Sequence, residues 1–132
     1  MNEHPVARWH KLLERRNPQE LGEFLAEDAV FLSPIVHKPQ QGRALTSFYL
    51  AAAFNVLGND SFRYVREIVG PSDAMLEFET TIDGTLVNGV DIIKWNDDGK
   101  VVEFKVMLRP LKAINVVHEH MAAMLQALQQ QQ

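Results

Sequence analysis

Asp91 is the residue of this 132-residue chain whose setting most invites chemistry. In Thr85-Leu-Val-Asn-Gly-Val-Asp-Ile-Ile-Lys-Trp95 it shares strand parity with Ile93 and Trp95, so a strand that buries those two also buries a carboxyl group. An ionised carboxylate is costly to bury. It answers by taking up a proton or finding a partner, and either makes it a candidate acid or base. A bulge at Gly89 would flip the parity and put Asp91 in solvent, and periodicity alone leaves both arrangements open.

Other polar residues suggest weaker chemistry. Ser33, His37 and Asp91 supply the residue types of a nucleophilic triad, but no nucleophile-elbow glycine pattern surrounds Ser33. His37, in the loop after Ser33-Pro34, is placed to reach a pocket mouth or simply to be exposed. His118-Glu119-His120 has a metal-like look, yet residues two apart on a helix point about 200° apart and cannot share an ion. With no cysteine in the chain, thiolate nucleophiles, zinc-thiolate sites and iron–sulfur clusters are excluded. No phosphate-binding glycine loop is present. The sequence leads us to expect neither a metal nor a cofactor.

The elements that must position these residues follow from periodicity. Val6, Trp9, Leu12 and Leu13 predict an amphipathic helix over residues 4–16, with Arg8, Lys11 and Arg15 on a solvated face. Asn17-Pro18-Gln19-Glu20 is a start signal for a short second helix, ending near Glu27-Asp28. Ala29–Ser33 is expected as a strand, and the stretch through Pro39 to Gly42 as a loop. Leu45, Phe48, Ala52 and Val56 mark a third helix, stopped at Gly58-Asn59-Asp60. Turn signals at Gly70-Pro71-Ser72-Asp73, Asp83-Gly84 and Asn96-Asp97-Asp98-Gly99 then divide four hairpin-linked strands. Leu76, Phe78 and Thr80 are assigned to one face, opposite Met75, Glu77, Glu79 and Thr81. In the last strand Val102, Phe104, Val106 and Leu108 are assigned inward. A helix over about 111–128 carries the seam Ile114, Val117, Met121, Met124 and Leu128, with a frayed glutamine tail. The fold class is α+β: a cone-like, curved antiparallel sheet with the N-terminal helices on its concave face, plus the C-terminal helix.

Length and composition set outer bounds. One domain spanning 1–132 is expected, and 46% hydrophobic with 23% charged residues is the balance of an ordinary globular chain. The longest apolar run, Phe48 to Phe54, is far short of a membrane span, and the first residues carry no signal-peptide stretch. A formal charge of -4 argues against a phosphate-tracking surface. The expectation is a cytoplasmic protein whose partners are a small apolar molecule and a second copy of itself, with no nucleic acid and no membrane. The homodimer is assigned to the outer sheet face, where Met75, Thr81 and Met107 interrupt the charges of Glu77, Glu79, Glu103, Lys105 and Arg109.

Three stretches, Leu25-Ala-Glu-Asp-Ala-Val-Phe-Leu-Ser-Pro34, Gly42-Arg-Ala-Leu-Thr-Ser-Phe-Tyr49 and Gly99-Lys-Val-Val-Glu-Phe104, together with the order of elements, resemble the nuclear transport factor 2-like superfamily, in its ketosteroid isomerase and SnoaL-like polyketide cyclase branch. The resemblance implies the cystatin-like cone fold. It matches Asp91 to an acid that stays protonated and donates to an oxyanion, behaviour the ketosteroid isomerase family exemplifies. Tyr49 matches a tyrosine supporting that oxyanion hole from the third helix. Trp9 stands where the family has its catalytic tyrosine and Ser33 where the isomerase has its carboxylate base, so steroid isomerisation by the known mechanism is not implied. The candidate catalytic residues are therefore Asp91, Ser33 and Tyr49. The candidate substrate pocket is Trp9, Phe31, His37, Phe78, Ile93, Phe104 and Val106. Acid/base chemistry on a small apolar oxygenated substrate (isomerase, cyclase, dehydratase or hydrolase) stands beside a non-catalytic ligand-binding or dimerisation module.

Overall fold

Alternating burial along the strands from Asp73 onward builds the wall on which the rest of the chain rests. A computed structural model describes residues 4–15 and 18–130, so Arg16, at the end of the expected first helix, Asn17 and the last two glutamines lie outside the described residues. The elements are α1 (Pro5–Arg15), α2 (Pro18–Phe24), β1 (Leu25–Leu32), β2 (Gln40–Gln41), α3 (Arg43–Leu57), β3 (Arg63–Val69), β4 (Asp73–Ile82), β5 (Thr85–Trp95), β6 (Val101–Arg109) and α4 (Leu111–Gln130). One curved sheet has the strand order β2-β1-β6-β5-β4-β3. The expected meander β3 to β6 is antiparallel throughout, but β1 joins β6 in parallel, so the sheet is mixed.

Asp83 and Gly84 both take positive φ, 52° and 76°, the conformation of a two-residue hairpin turn whose twist matches its strands. From there the β4–β5 register runs unbroken from Ile82 opposite Thr85 to Asp73 opposite Lys94. The bulge considered at Gly89 is absent. Leu76, Phe78 and Thr80 are buried as expected, while Met75 and Thr81 are exposed. Gly89 faces Phe78 across the pair, and a Cβ there would collide with the Phe78 ring and with Leu108. The glycine lets that ring fold over the strand.

Four boundaries or faces differ from expectation. Helix α2 stops at Phe24, because Leu25 already pairs with Val101 of β6, and an irregularity before Val30 accommodates the exposed Glu27 and Asp28. Gln40–Gln41, expected as loop, pairs with Val30 and Phe31. On α3 the inward residues are Thr46, Leu50, Ala52, Val56 and Leu57, and Leu45 is exposed. Thr46 takes the inner place because its hydroxyl donates to the Ala29 carbonyl at 3.2 Å, fastening α3 to β1. In β6 a bulge opposite Lys94 and Trp95 turns Val101 fully inward and leaves Val102 half-buried.

The core lies between the concave sheet face and α1, α2 and α3. Trp9 of α1 packs against Phe24, Phe54 and Phe104, with ring centroids 4.8–5.7 Å away. Helix α4 closes the wide end by packing on α3, β5 and β6 through Ala113 and Val117, and the rest of its seam is half-buried. His120 on α4 reaches Asp83 in the β4–β5 turn at 2.7 Å. Among the described residues no helix is long and apolar enough to cross a membrane.

Candidate active site

Because parity is unbroken, β5 carries Asp91 inward, where it is 5% exposed between Leu76 of β4 and Val106 of β6. Its partner is a residue that sequence reading missed. Tyr64, partly buried near the start of β3, donates its hydroxyl to Asp91 Oδ2 at 2.6 Å. The Trp9 indole Nε1 in turn donates to the Tyr64 oxygen at 2.7 Å. An indole N–H can only donate, so the tyrosine oxygen must accept from it and spend its single proton on the carboxyl group. The chain Trp9→Tyr64→Asp91 thus has one direction. Asp91 Oδ1 carries no hydrogen bond among the described residues and remains the free end.

Burial pushes the Asp91 carboxyl up from 3.8 to about 7, against the opposing effect of the Tyr64 hydrogen bond, which favours the anion. Tyr64 is raised well above its ordinary value, first by burial, then by the negative charge of Asp91 and the bond it donates there; the Trp9 hydrogen bond lowers it, and Glu67 adds a further rise. Glu67 pairs with His10, whose ring meets Tyr64 edge-on at 5.4 Å. Below about pH 7 the Asp91 carboxyl therefore keeps its proton, and near 7 it is about half protonated, with Tyr64 held as a neutral donor.

Two cavities meet in the cone. The inner one, ≈30 Å³, is bounded by Trp9, Tyr64, Asp91, Phe78 and Phe104 and has no other titratable side chain in its wall. It admits a water-sized group. The outer one, ≈140 Å³, lies under α4 and is lined by Phe31, Ser33, Tyr49, Leu108, His118 and Met121 among others. It matches in size an apolar cavity of roughly 150 Å³ that accepts benzene. Ala53, Leu57 and Val106 belong to both walls, so the two cavities adjoin there.

This geometry separates the candidate residues. Asp91, Trp9, Phe78 and Phe104 surround the inner cavity, Ser33, Tyr49 and Phe31 line the outer one, and Val106 touches both. Ile93 is buried but lines neither, since it packs within the core beside β4 and β6. His37 is exposed on a groove along the loop and β6 that shares Ser33, Pro34, Val36, Val106 and Leu108 with the outer cavity, although His37 itself does not line that cavity. Ser33 does local work. Its hydroxyl oxygen accepts the backbone N–H of Ile35 at 3.0 Å and of Val36 at 3.2 Å, fixing the turn after β1 and leaving its own proton to donate. Tyr49 stacks on Phe31 at 5.7 Å, and its hydroxyl has no hydrogen bond among the described residues. His118 and His120 diverge as their spacing requires, one to the outer cavity and the other to Asp83.

Comparison with known proteins adds a family to this geometry. Residues 6–104 match the model of the SnoaL-like domain. Among solved structures, a steroid delta-isomerase from Pseudomonas aeruginosa is similar at 34% identity and TM-score 0.88, over 94% of this chain and 90% of that one. An uncharacterized protein conserved in bacteria with a cystatin-like fold, from Silicibacter pomeroyi, is similar at 28% identity and TM-score 0.82, over 90% and 83%. An NTF2-like protein of unknown function from Mesorhizobium loti shares the fold at 20% identity and TM-score 0.69, over 80% and 88%. No curated protein matches.

Proposed function

The chain belongs to the SnoaL-like family of the NTF2-like superfamily, and we propose that within it the protein is an acid/base enzyme acting on a small, mostly apolar carbonyl compound. The observation that carries this reading is the one-way hydrogen-bond chain ending at a buried carboxyl group. A neutral Asp91 accepts from Tyr64 at Oδ2 and is left with an Oδ1–H aimed at whatever oxygen enters the inner cavity. Each donor polarises the next, and charge developing on that oxygen in a dry apolar pocket is stabilised far more than in water. The cavity sizes support a division of the substrate: one oxygen in the ≈30 Å³ end, its ring or short chain in the ≈140 Å³ chamber beside Ser33 and Tyr49. A relative named a steroid delta-isomerase supports proton transfer beside a carbonyl as the reaction type. A four-ring substrate is not supported, because the chamber is well below the roughly 300 Å³ at which drug-sized pockets begin.

A second reading, a binding module without turnover, is favoured by the narrowness of the space at Asp91, which holds a ligand oxygen but little room for its movement.

The test uses cyclohexanone labelled with ¹³C at its carbonyl, followed by infrared difference spectroscopy with the full-length protein. The carbonyl band is expected to shift to lower frequency on binding at pH 6, and the shift is expected to vanish as pH is raised past 7 or when Asp91 is replaced by leucine. Binding with no shift, or a shift indifferent to pH and to Asp91, would overturn the proposal.

A further inference from the structure

With Asp91 as the acid the reaction also needs a base, and the walls of the two cavities offer no carboxylate besides Asp91. We infer that His118, on α4, is the base: its imidazole removes a proton from the carbon next to the carbonyl whose oxygen lies at Asp91. The inference rests on the reading of Asp91 given above and on three further observations. First, His118 lines the outer cavity together with Ser33 and Tyr49, and this cavity adjoins the one holding Asp91 at Ala53, Leu57 and Val106, where one small ketone would span the two. Second, His118 and Tyr49 are the ionisable side chains of that wall, and of the two only a neutral imidazole offers a ring-nitrogen lone pair able to take a proton from carbon. Third, His118 is exposed toward solvent and makes no hydrogen bond among the described residues, whereas His120 and His10 are each committed to a carboxylate. An imidazole at the mouth can exchange its proton with water between turnovers. The buried Asp91 cannot do so as freely.

The step balances. The C–H bond breaks, its proton goes to an imidazole nitrogen of His118, and its electron pair forms the new C=C bond. The carbonyl electrons move to the oxygen, which is stabilised by the Asp91 Oδ1–H. Return of a proton from the imidazolium to the same carbon gives exchange, and to a different carbon gives isomerisation. Ser33, with its hydroxyl oxygen accepting two backbone N–H groups, is left as a donor in the chamber wall.

The experiment measures deuterium uptake by cyclohexanone in D2O with the full-length protein, read by mass spectrometry, alongside the infrared shift. The wild type is expected to accelerate exchange beyond an equal concentration of free imidazole. His118→Ala, on an exposed helical position where alanine is well tolerated, is expected to lose about 100-fold or more of that rate. It should keep the infrared shift, and added imidazole should restore part of the rate, which a merely structural role would not allow. An unchanged exchange rate in His118→Ala, with exchange lost in Asp91→Leu, overturns the role of His118 and leaves the reading of Asp91 standing. A normal infrared shift with no exchange in the wild type does the same. Neither shift nor exchange in the wild type overturns both.

Discussion

Replacing Asp91 by asparagine converts the site permanently to a near copy of its protonated form, with an oxygen to accept from Tyr64 and an N–H2 in place of the acid proton. The folded-state carboxyl titrates at about 7 and the unfolded one at 3.8. Folding therefore raises its affinity for the proton, so the associated stability is fully present below the unfolded value and is lost as pH rises toward the folded one. Above about 7 the loss levels off. At roughly 1.4 kcal/mol per decade of acidity, the wild type forfeits about 4 kcal/mol across this window. The amide forfeits nothing there. The two proteins should be nearly equal in stability at pH 4, the variant ahead by about 2 kcal/mol at pH 5, and ahead by about 4 kcal/mol at pH 8. Every other titrating group is common to both chains and cancels in the difference. Urea unfolding of each protein at pH 4, 5, 6, 7 and 8 gives the comparison directly. A variant equal to or less stable than wild type at pH 8, or a gap of constant size at all five values, would refute the reasoning that burial dominates at Asp91.

Other perturbations probe the same arrangement. Tyr64→Phe removes both the donor to Asp91 and the acceptor of Trp9, so it should cost about 1–3 kcal/mol at neutral pH and move the Asp91 titration upward, since the lost bond favoured the anion; a downward movement by NMR would contradict this. Gly89→Ala should destabilise by about 1–3 kcal/mol in urea melts, because its methyl group meets the Phe78 ring and Leu108; no measurable change would show that the strands part easily. The outer sheet face exposes Ile68, Met75 and Met107 beside charges of both signs, an arrangement suited to pairing with a second copy. Sedimentation at micromolar concentration should find a dimer that Met107→Glu separates, and a wild-type monomer would remove that expectation.

The parity of the strand from Thr85 to Trp95 grouped Asp91 with Ile93 and Trp95, but only the unbroken register through Gly89 decides that this group faces inward. The hairpin at Asp83-Gly84 and the turns around it were legible for the same local reasons. Tyr64 was not. Strand β3 is an edge strand whose residues are largely exposed, and a register shift between Tyr64 and Arg66 leaves no apolar alternation to single the tyrosine out. Its approach to Trp9, 55 residues earlier, and to Asp91, 27 residues later, joins three elements in a relation that no local pattern encodes. The meeting of the two cavities is equally nonlocal, depending on how Ala53, Leu57 and Val106 come together. His118 was legible only as half of a spacing that could not hold a metal, and its role waits on knowing which face of α4 covers the outer cavity.

The central claim is that the Asp91 carboxyl group, at the end of a one-way chain of donors, holds its proton up to about pH 7. The measurement that tests it most directly is the ¹³C chemical shift of the Asp91 side-chain carboxyl carbon, followed from pH 3 to pH 9 in the folded protein. The account predicts a single titration centred near 7, well apart from the other aspartates. A titration centred near 4 would mean that Asp91 is an anion at neutrality, with Oδ1 an acceptor rather than a donor, and would contradict the account at its base.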